Sequence, residues 1–306
     1  MRIKLVVGVL AVVAAGLLVN AVAVDRDSHV AEPFGGGRVL PLDGPDLNVR
    51  EYGRADGDKA IVLLHGYSAS VQWWDQVAPA LAADGHRVVA IDLVGHGGSE
   101  APRDEDAYGA AGQSGAVREA LHVLGIRQAV LVGHSMGGAV AVAVAEDEPE
   151  LVKRIVVSDT PAGVDQGALP LLKEMVCWPV VGPALDRFRA IDAFDTSSLQ
   201  TGFADDYPVP DFAYRSLQRQ THTGVCDSNV VRDLDGQQDI ADRLAALDPP
   251  ALVIWGERDV LTPTAANVER YTAVGLAPVL IDGSGHTPMV EKPDEFLAAI
   301  SDFVRD

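Results

Sequence analysis

Apolar residues in this chain fall into short, nearly continuous runs separated by segments of helical period. Ala60–Leu64 (AIVLL), Arg87–Ile91 (RVVAI), Ala129–Val132 (AVLV) and Val152–Val157 are such runs. Apolar residues without alternation predict strands buried on both faces. Between them, Val71–Ala83 reads as a helix closed by Gly85. Gln113–Leu124 places Val117, Ala120, Leu121 and Leu124 on one helical face and stops at Gly125. Met136–Glu146 is an Ala/Val-rich helix broken before Pro149. Strand and helix alternate, which predicts an α/β fold with a mostly parallel sheet and helices on both faces. The alternation stops at Pro161. It resumes with the strand Ala251–Trp255, a helix after Pro263, the strand Pro278–Ile281 and a C-terminal helix from about Glu291. The interruption, about residues 161–248, is expected to be an insertion over one edge of the sheet.

The N-terminus has a different pattern. Arg2 and Lys4 precede the apolar run Leu5–Val19, which is followed by Asn20 and Ala21-Val22-Ala23. A charged start, an apolar stretch and an A-x-A-like site are the layout of a secretory signal peptide. Counted through Val24, the segment 1–24 is also long enough for a membrane anchor. Either reading places the rest of the chain outside the cytoplasm, exported and secreted or anchored. Residues 25–37, with Gly35-Gly36-Gly37, read as a flexible lead-in, and 38–306 as the folded domain. Outside the cytoplasm a disulfide between the two cysteines, Cys177 and Cys226, is permitted. Two buried thiols remain the alternative.

Composition narrows the partners. The 306 residues are 48% hydrophobic and 22% charged, as in a globular protein with a sizeable core. The formal net charge of −20, from 44 acidic and 24 basic residues, repels phosphate backbones, so no nucleic-acid partner is expected. Membrane contact is expected only through an uncleaved N-terminal segment.

The chemistry concentrates at strand ends. Gly133-His134-Ser135-Met136-Gly137 is a G-x-S-x-G motif between an apolar strand and a helix. In that context the serine projects from a tight turn as a nucleophile, and the helix N-terminus faces the charge that develops. A serine hydroxyl needs a base. His286, in Gly283-Ser284-Gly285-His286, follows the last strand, as the order nucleophile, acid, histidine requires. Asp259, in Trp255-Gly256-Glu257-Arg258-Asp259, follows the preceding strand and is the acid that orients the imidazole. Asp159, at the end of the strand after the nucleophile helix, is the open alternative. His134 is read as local packing. The backbone N–H groups of Tyr67, in His65-Gly66-Tyr67, and of Met136 are the expected oxyanion donors. Gly95-His96-Gly97-Gly98-Ser99 lacks the Lys-Ser/Thr ending of a phosphate loop and reads as a tight turn. No cofactor and no metal site is expected.

Five ordered blocks resemble the α/β-hydrolase superfamily, in its common single-domain branch. They are HGYSASVQWW at 65–74, DLVGHGGS at 92–99, GHSMGG at 133–138, WGERDVLTP at 255–263 and GSGHTPMVEKP at 283–293. The resemblance runs from about Leu47 to the C-terminus and is weak only across the insertion. It implies an eight-stranded sheet, a helical cap after the sixth strand, and Trp74 as packing under the oxyanion loop. With Ser135 as nucleophile, it implies a serine hydrolase acting on a carboxylic ester or related acyl compound. Acyl transfer, lactone opening, carbon–carbon bond hydrolysis and ligand binding with negligible turnover share the same blocks. The cap aromatics Trp178, Phe188, Phe194, Phe203, Tyr207, Phe212 and Tyr214 are expected to form the cap's own core, with a few over Ser135 as an apolar roof for a partly apolar small-molecule substrate.

Overall fold

The computed structural model describes residues 2–24, 27–54, 56–163, 175–186, 199–228, 230–234 and 238–305. Its centre is an eight-stranded sheet in the order β1-β2-β4-β3-β5-β6-β7-β8. The strands are β1 (Arg38–Leu40), β2 (Leu47–Tyr52), β3 (Lys59–Leu64), β4 (Val88–Ile91), β5 (Gln128–His134), β6 (Val152–Ser158), β7 (Ala251–Gly256) and β8 (Val279–Ile281). β2 runs antiparallel to β1 and β4, and every other pairing is parallel. The mostly parallel α/β fold expected from the run pattern is the one observed.

The continuous apolar runs have their expected cause. In β3, Val62 and Leu64 pack into the core on one face, while Ile61 and Leu63 pack into the core on the other. Each such fully buried aliphatic side chain contributes about 1.5–3 kcal/mol. Helices α3 (Ala110–Val123) and α4 (Met136–Asp147) cover one face. Helices α2 (Ala78–Ala83) and α12 (Pro293–Val304) cover the other. Trp74 is fully buried there against Phe296, with ring centroids 6.3 Å apart.

One expectation is corrected. Val71–Ala83 is not one helix. Ser70 caps a single 3₁₀ turn, Val71–Trp74, and α2 starts afresh at Ala78 with Pro79 in its first turn. Proline is favoured in a first turn and disfavoured inside a helix, so it marks a start here. The C-terminal helix expected from about Glu291 is α12, opened by Pro293, with the short α11 (Pro288–Glu291) just before it. The lead-in makes tertiary hydrogen bonds where it is described. Glu32 N–H donates to the Gly98 carbonyl at 2.9 Å, and Asn48 Nδ2 donates to the Phe34 carbonyl at 3.0 Å.

The insertion follows β6. Its described helices are α5 (Val181–Asp186), α6 (Asp211–Gln218), α7 (His222–Asp227), α8 (Val230–Leu234) and α9 (Ile240–Ala246), and α10 (Thr264–Ala273) follows β7. Phe188 and Phe194 lie outside the described residues. Cys177 and Cys226 are joined in a disulfide, with Cα atoms 5.5 Å apart. The N-terminal run forms one helix, α1 (Arg2–Val24), whose side chains are described from residue 11 on. Its C-terminal end meets the cap, where Asn20 Nδ2 donates to the Pro183 carbonyl at 2.9 Å and Ala21 and Val24 are buried. Among the described residues no helix is long and apolar enough to cross a membrane.

Candidate active site

The turn between β5 and α4 holds Ser135 at φ 51°, ψ −119°, a left-handed backbone that few non-glycine residues adopt. The neighbouring glycines make that bend possible by their size. A Cβ at Gly133 would run into the Gly137 carbonyl, and one at Gly137 into the carbonyls of Leu64 and His65. The Ser135 N–H donates to the Ser158 carbonyl at 2.8 Å, which seats the turn on β6. Its carbonyl accepts from Gly138 N–H and Thr160 Oγ1, both at 3.0 Å.

His286 and Asp259 come together from separate loops. Asp259 Oδ2 accepts from His286 Nδ1 at 2.7 Å, and both residues are buried. Donation from Nδ1 leaves Nε2 as the basic nitrogen. The other carboxylate oxygen accepts the backbone N–H groups of Leu261 (2.8 Å) and Thr262 (3.0 Å), and Thr262 Oγ1 donates to Oδ2. Burial pushes the Asp259 carboxyl up, but the His286 charge and these donors outweigh it, and the net shift is downward. Burial likewise pushes the His286 imidazole down, and the Asp259 charge and hydrogen bond reverse that to a net rise.

No described hydrogen bond joins the Ser135 hydroxyl directly to His286. The link runs through His134, whose Nε2 donates to the His286 carbonyl at 2.7 Å and whose ring lies edge-on to the His286 ring at 4.9 Å. Hydrogen bonds at such sites are often completed only when substrate is bound. Burial, then the His286 charge, hold the His134 pKa down to about 3, so it stays neutral. Asp159 sits close by at the end of β6. One oxygen of Asp159, one of Asp259 and a ring nitrogen of His286 all lie within 4.8 Å of one another.

Met136 is the first residue of α4, and Tyr67 follows β3. Gly66 brings that loop against the serine, since a Cβ there would lie 3.0 Å from Ser135 Cβ and 2.8 Å from His134 Nδ1. The cap grips the same loop. Tyr67 Oη donates to the Val225 carbonyl at 2.9 Å, Ser68 Oγ to Gln220 Oε1 at 2.7 Å, and Ser216 Oγ to Ser70 Oγ at 2.9 Å. Most described cap aromatics pack inward. Phe203 stacks on Tyr207 at 5.7 Å and Phe212 meets Trp73 edge-on at 4.9 Å, whereas Trp178 is 47% exposed. A cavity of about 260 Å³ opens beside the acid loop and is lined by Asp205, Glu257, Arg258, Asp259, Val260 and Thr264.

Sequence reasoning missed three contributors: His134 as a tie between the serine turn and the histidine loop, Thr262, and Glu291. The last two stand inside the blocks at 255–263 and 283–293. A glutamate in the otherwise apolar stretch after His286 was the available signal for Glu291.

Comparison with known proteins agrees with this architecture. Residues 61–299 match the model of the alpha/beta hydrolase family, and the chain belongs to that family. An uncharacterized protein of Mycobacterium tuberculosis is 30% identical over 277 residues, covering 83% of this chain and 78% of its own. A pimeloyl-[acyl-carrier protein] methyl ester esterase of Edwardsiella ictaluri is 28% identical over 254 residues, covering 81% and 93%. Among solved structures, a bacterial membrane phospholipase A superposes with a TM-score of 0.67 at 25% identity, covering 99% of this chain and 95% of its own.

Proposed function

We propose that this protein is a serine hydrolase that cleaves a carboxylic ester through an acyl-enzyme on Ser135. The observation that carries the reading is the buried 2.7 Å contact between Asp259 and His286 beside the left-handed Ser135 turn. His286 Nε2 takes the Ser135 proton as Oγ attacks the ester carbonyl. Asp259 stabilises the imidazolium that forms. The N–H groups of Tyr67 and Met136 receive the oxyanion, each contributing about 3 kcal/mol to the transition state. His286 returns the proton to the leaving alcohol, and a water activated by the same ring releases the acid. The ester relative of Edwardsiella ictaluri supports the substrate class.

Ser135→Ala is expected to abolish both p-nitrophenyl ester turnover and covalent labelling by a fluorophosphonate. Labelling that survives the substitution would remove Ser135 from the mechanism. Transfer of the acyl group to added alcohols or amines, in place of hydrolysis, would mark the protein as an acyltransferase.

The location proposed is extracytoplasmic. Arg2, Lys4 and the apolar helix α1 support it, as does the disulfide between Cys177 and Cys226. Recovery of full-length protein in the cytosolic fraction, with Met1 attached, would overturn it.

A further inference from the structure

Asp159 is a buried acid that the mechanism above does not use. It is fully buried at the end of β6 and adopts φ 48°. A non-glycine residue in that region costs on the order of 1 kcal/mol and persists only where surroundings enforce it. Here they do. The Asp159 N–H donates to the Ile254 carbonyl at 3.0 Å, Oδ1 accepts Gly256 N–H at 2.8 Å, and Oδ2 accepts Ser158 Oγ at 2.7 Å. Gly256 ends β7, so Asp159 holds the strand end from which the Asp259 loop departs. Its carboxylate oxygen lies within 4.8 Å of both Asp259 and the His286 ring.

Two carboxylates beside one buried imidazole cannot both be ionised at low cost. Asp259 has the direct His286 contact and the donors of Leu261 and Thr262. Asp159 therefore takes the proton, its carboxyl pushed well up by burial and then by the Asp259 charge.

We infer that Asp159 is a reserve acid for His286, a positioning residue that takes over the imidazole when the Asp259 carboxylate is removed. The inference rests on the serine-hydrolase reading for its kinetic arm only. Without the Asp259 side chain, Asp159 loses its proton to solvent. It then moves by about 2 Å into hydrogen-bond range of the ring. The balance is simple: one proton leaves Asp159, and the carboxylate left behind pairs with the imidazolium that forms when His286 accepts the Ser135 proton. The groups facing His286 are Asp259, Asp159, Glu291 and the neutral His134.

The test compares Asp259→Ala, Asp159→Asn and the double variant by NMR titration of the His286 ring and by kcat/KM against pH on a p-nitrophenyl ester. Asp159→Asn keeps an acceptor for the Gly256 N–H and the direct Asp259 contact with His286, and should cost far less in kcat than Asp259→Ala does. Asp259→Ala should keep the raised His286 titration and lose about 100-fold in kcat, less than the loss of about 10⁴ for an unoriented histidine. The double variant should lose the full amount, with the His286 titration falling below about 6.5, because only the Glu291 charge then opposes burial. An Asp259→Ala protein already as slow as the double variant, with the titration already lowered, would overturn the inference. If Asp259→Ala does not fold, Asp259→Asn enters the same two comparisons. The NMR arm needs no substrate, so it decides on Asp159 even where fluorophosphonate labelling fails and the esterase reading falls.

Discussion

Glu291 accepts the backbone N–H of Gly285 at 3.0 Å, one residue before His286. The same oxygen accepts Ala204 N–H from the cap at 2.9 Å, while the other accepts Thr287 N–H at 3.1 Å and Thr287 Oγ1 at 3.0 Å. One buried carboxylate thus fixes the loop on both sides of His286 and fastens the cap to it.

Glu291→Ala should therefore cost more than a surface change. It leaves buried N–H donors without acceptors, each worth about 1–3 kcal/mol. Chemical denaturation should show a loss of several kcal/mol, and kcat should fall more than KM rises. A variant with unchanged stability would show that solvent replaces the carboxylate freely.

The pH dependence follows from His286 and Asp259. Burial lowers the His286 pKa and the Asp259 charge more than reverses it, so the net shift is upward. The ring must be neutral to accept the Ser135 proton. Activity should therefore fall on the acid side of a pH above about 6.5, the ordinary imidazole value. The stability consequence has a definite sign. A raised folded pKa stabilises below the unfolded value, and that contribution is lost as pH rises through the folded one. Asp259 does the opposite, contributing above its unfolded value and losing it as pH falls, because its net shift is downward. A kcat/KM profile whose acid limb lies well below pH 6.5 would contradict the pairing.

The sheet was legible because its strands are buried on both faces and leave continuous apolar runs, as in β3 and β5. The antiparallel strands β1 and β2 left no such run, since Arg38, Arg50 and Glu51 interrupt them. Ser135, His286 and Asp259 were legible as candidates because each follows a strand end. Glu291, Thr262 and the His134 contact were not, because each depends on which loop a side chain meets: His134 and His286 are 152 residues apart, Glu291 and Ala204 are 87 apart, and Thr262 and His286 are 24 apart. The hydrogen bonds that tie the lead-in to Gly98 and Asn48 left no mark in the sequence either, since they depend on how the chain folds back.

Gly256→Ala tests whether the strand ends must touch. A Cβ at this position would run into the Gly285 carbonyl, backbone against backbone, so no side-chain rotation relieves it. The clash drives apart the two segments that carry Asp259 and His286. The expected result is a large loss of kcat with a smaller loss of stability. Near-wild-type turnover would mean that the loop shifts without disturbing the 2.7 Å contact.

The disulfide should couple the cap to the serine site. Cys177 and Cys226 are 49 residues apart, and closing a loop of that length restricts the unfolded chain by about 4 kcal/mol in the entropic account. Val225, beside Cys226, accepts the Tyr67 hydroxyl at 2.9 Å, so the bridge also steadies the residue proposed to donate to the oxyanion. Cys226→Ser should lower the stability of the cap by about 2–4 kcal/mol. It should also change the relative rates on esters of increasing size, because a looser cap alters what fits above Ser135. A series of p-nitrophenyl esters, assayed with and without reductant, measures this. Reduction that leaves both the melting temperature and the relative rates unchanged would show that the hydrogen bonds of Tyr67, Ser68 and Ser70 hold the cap without the bridge.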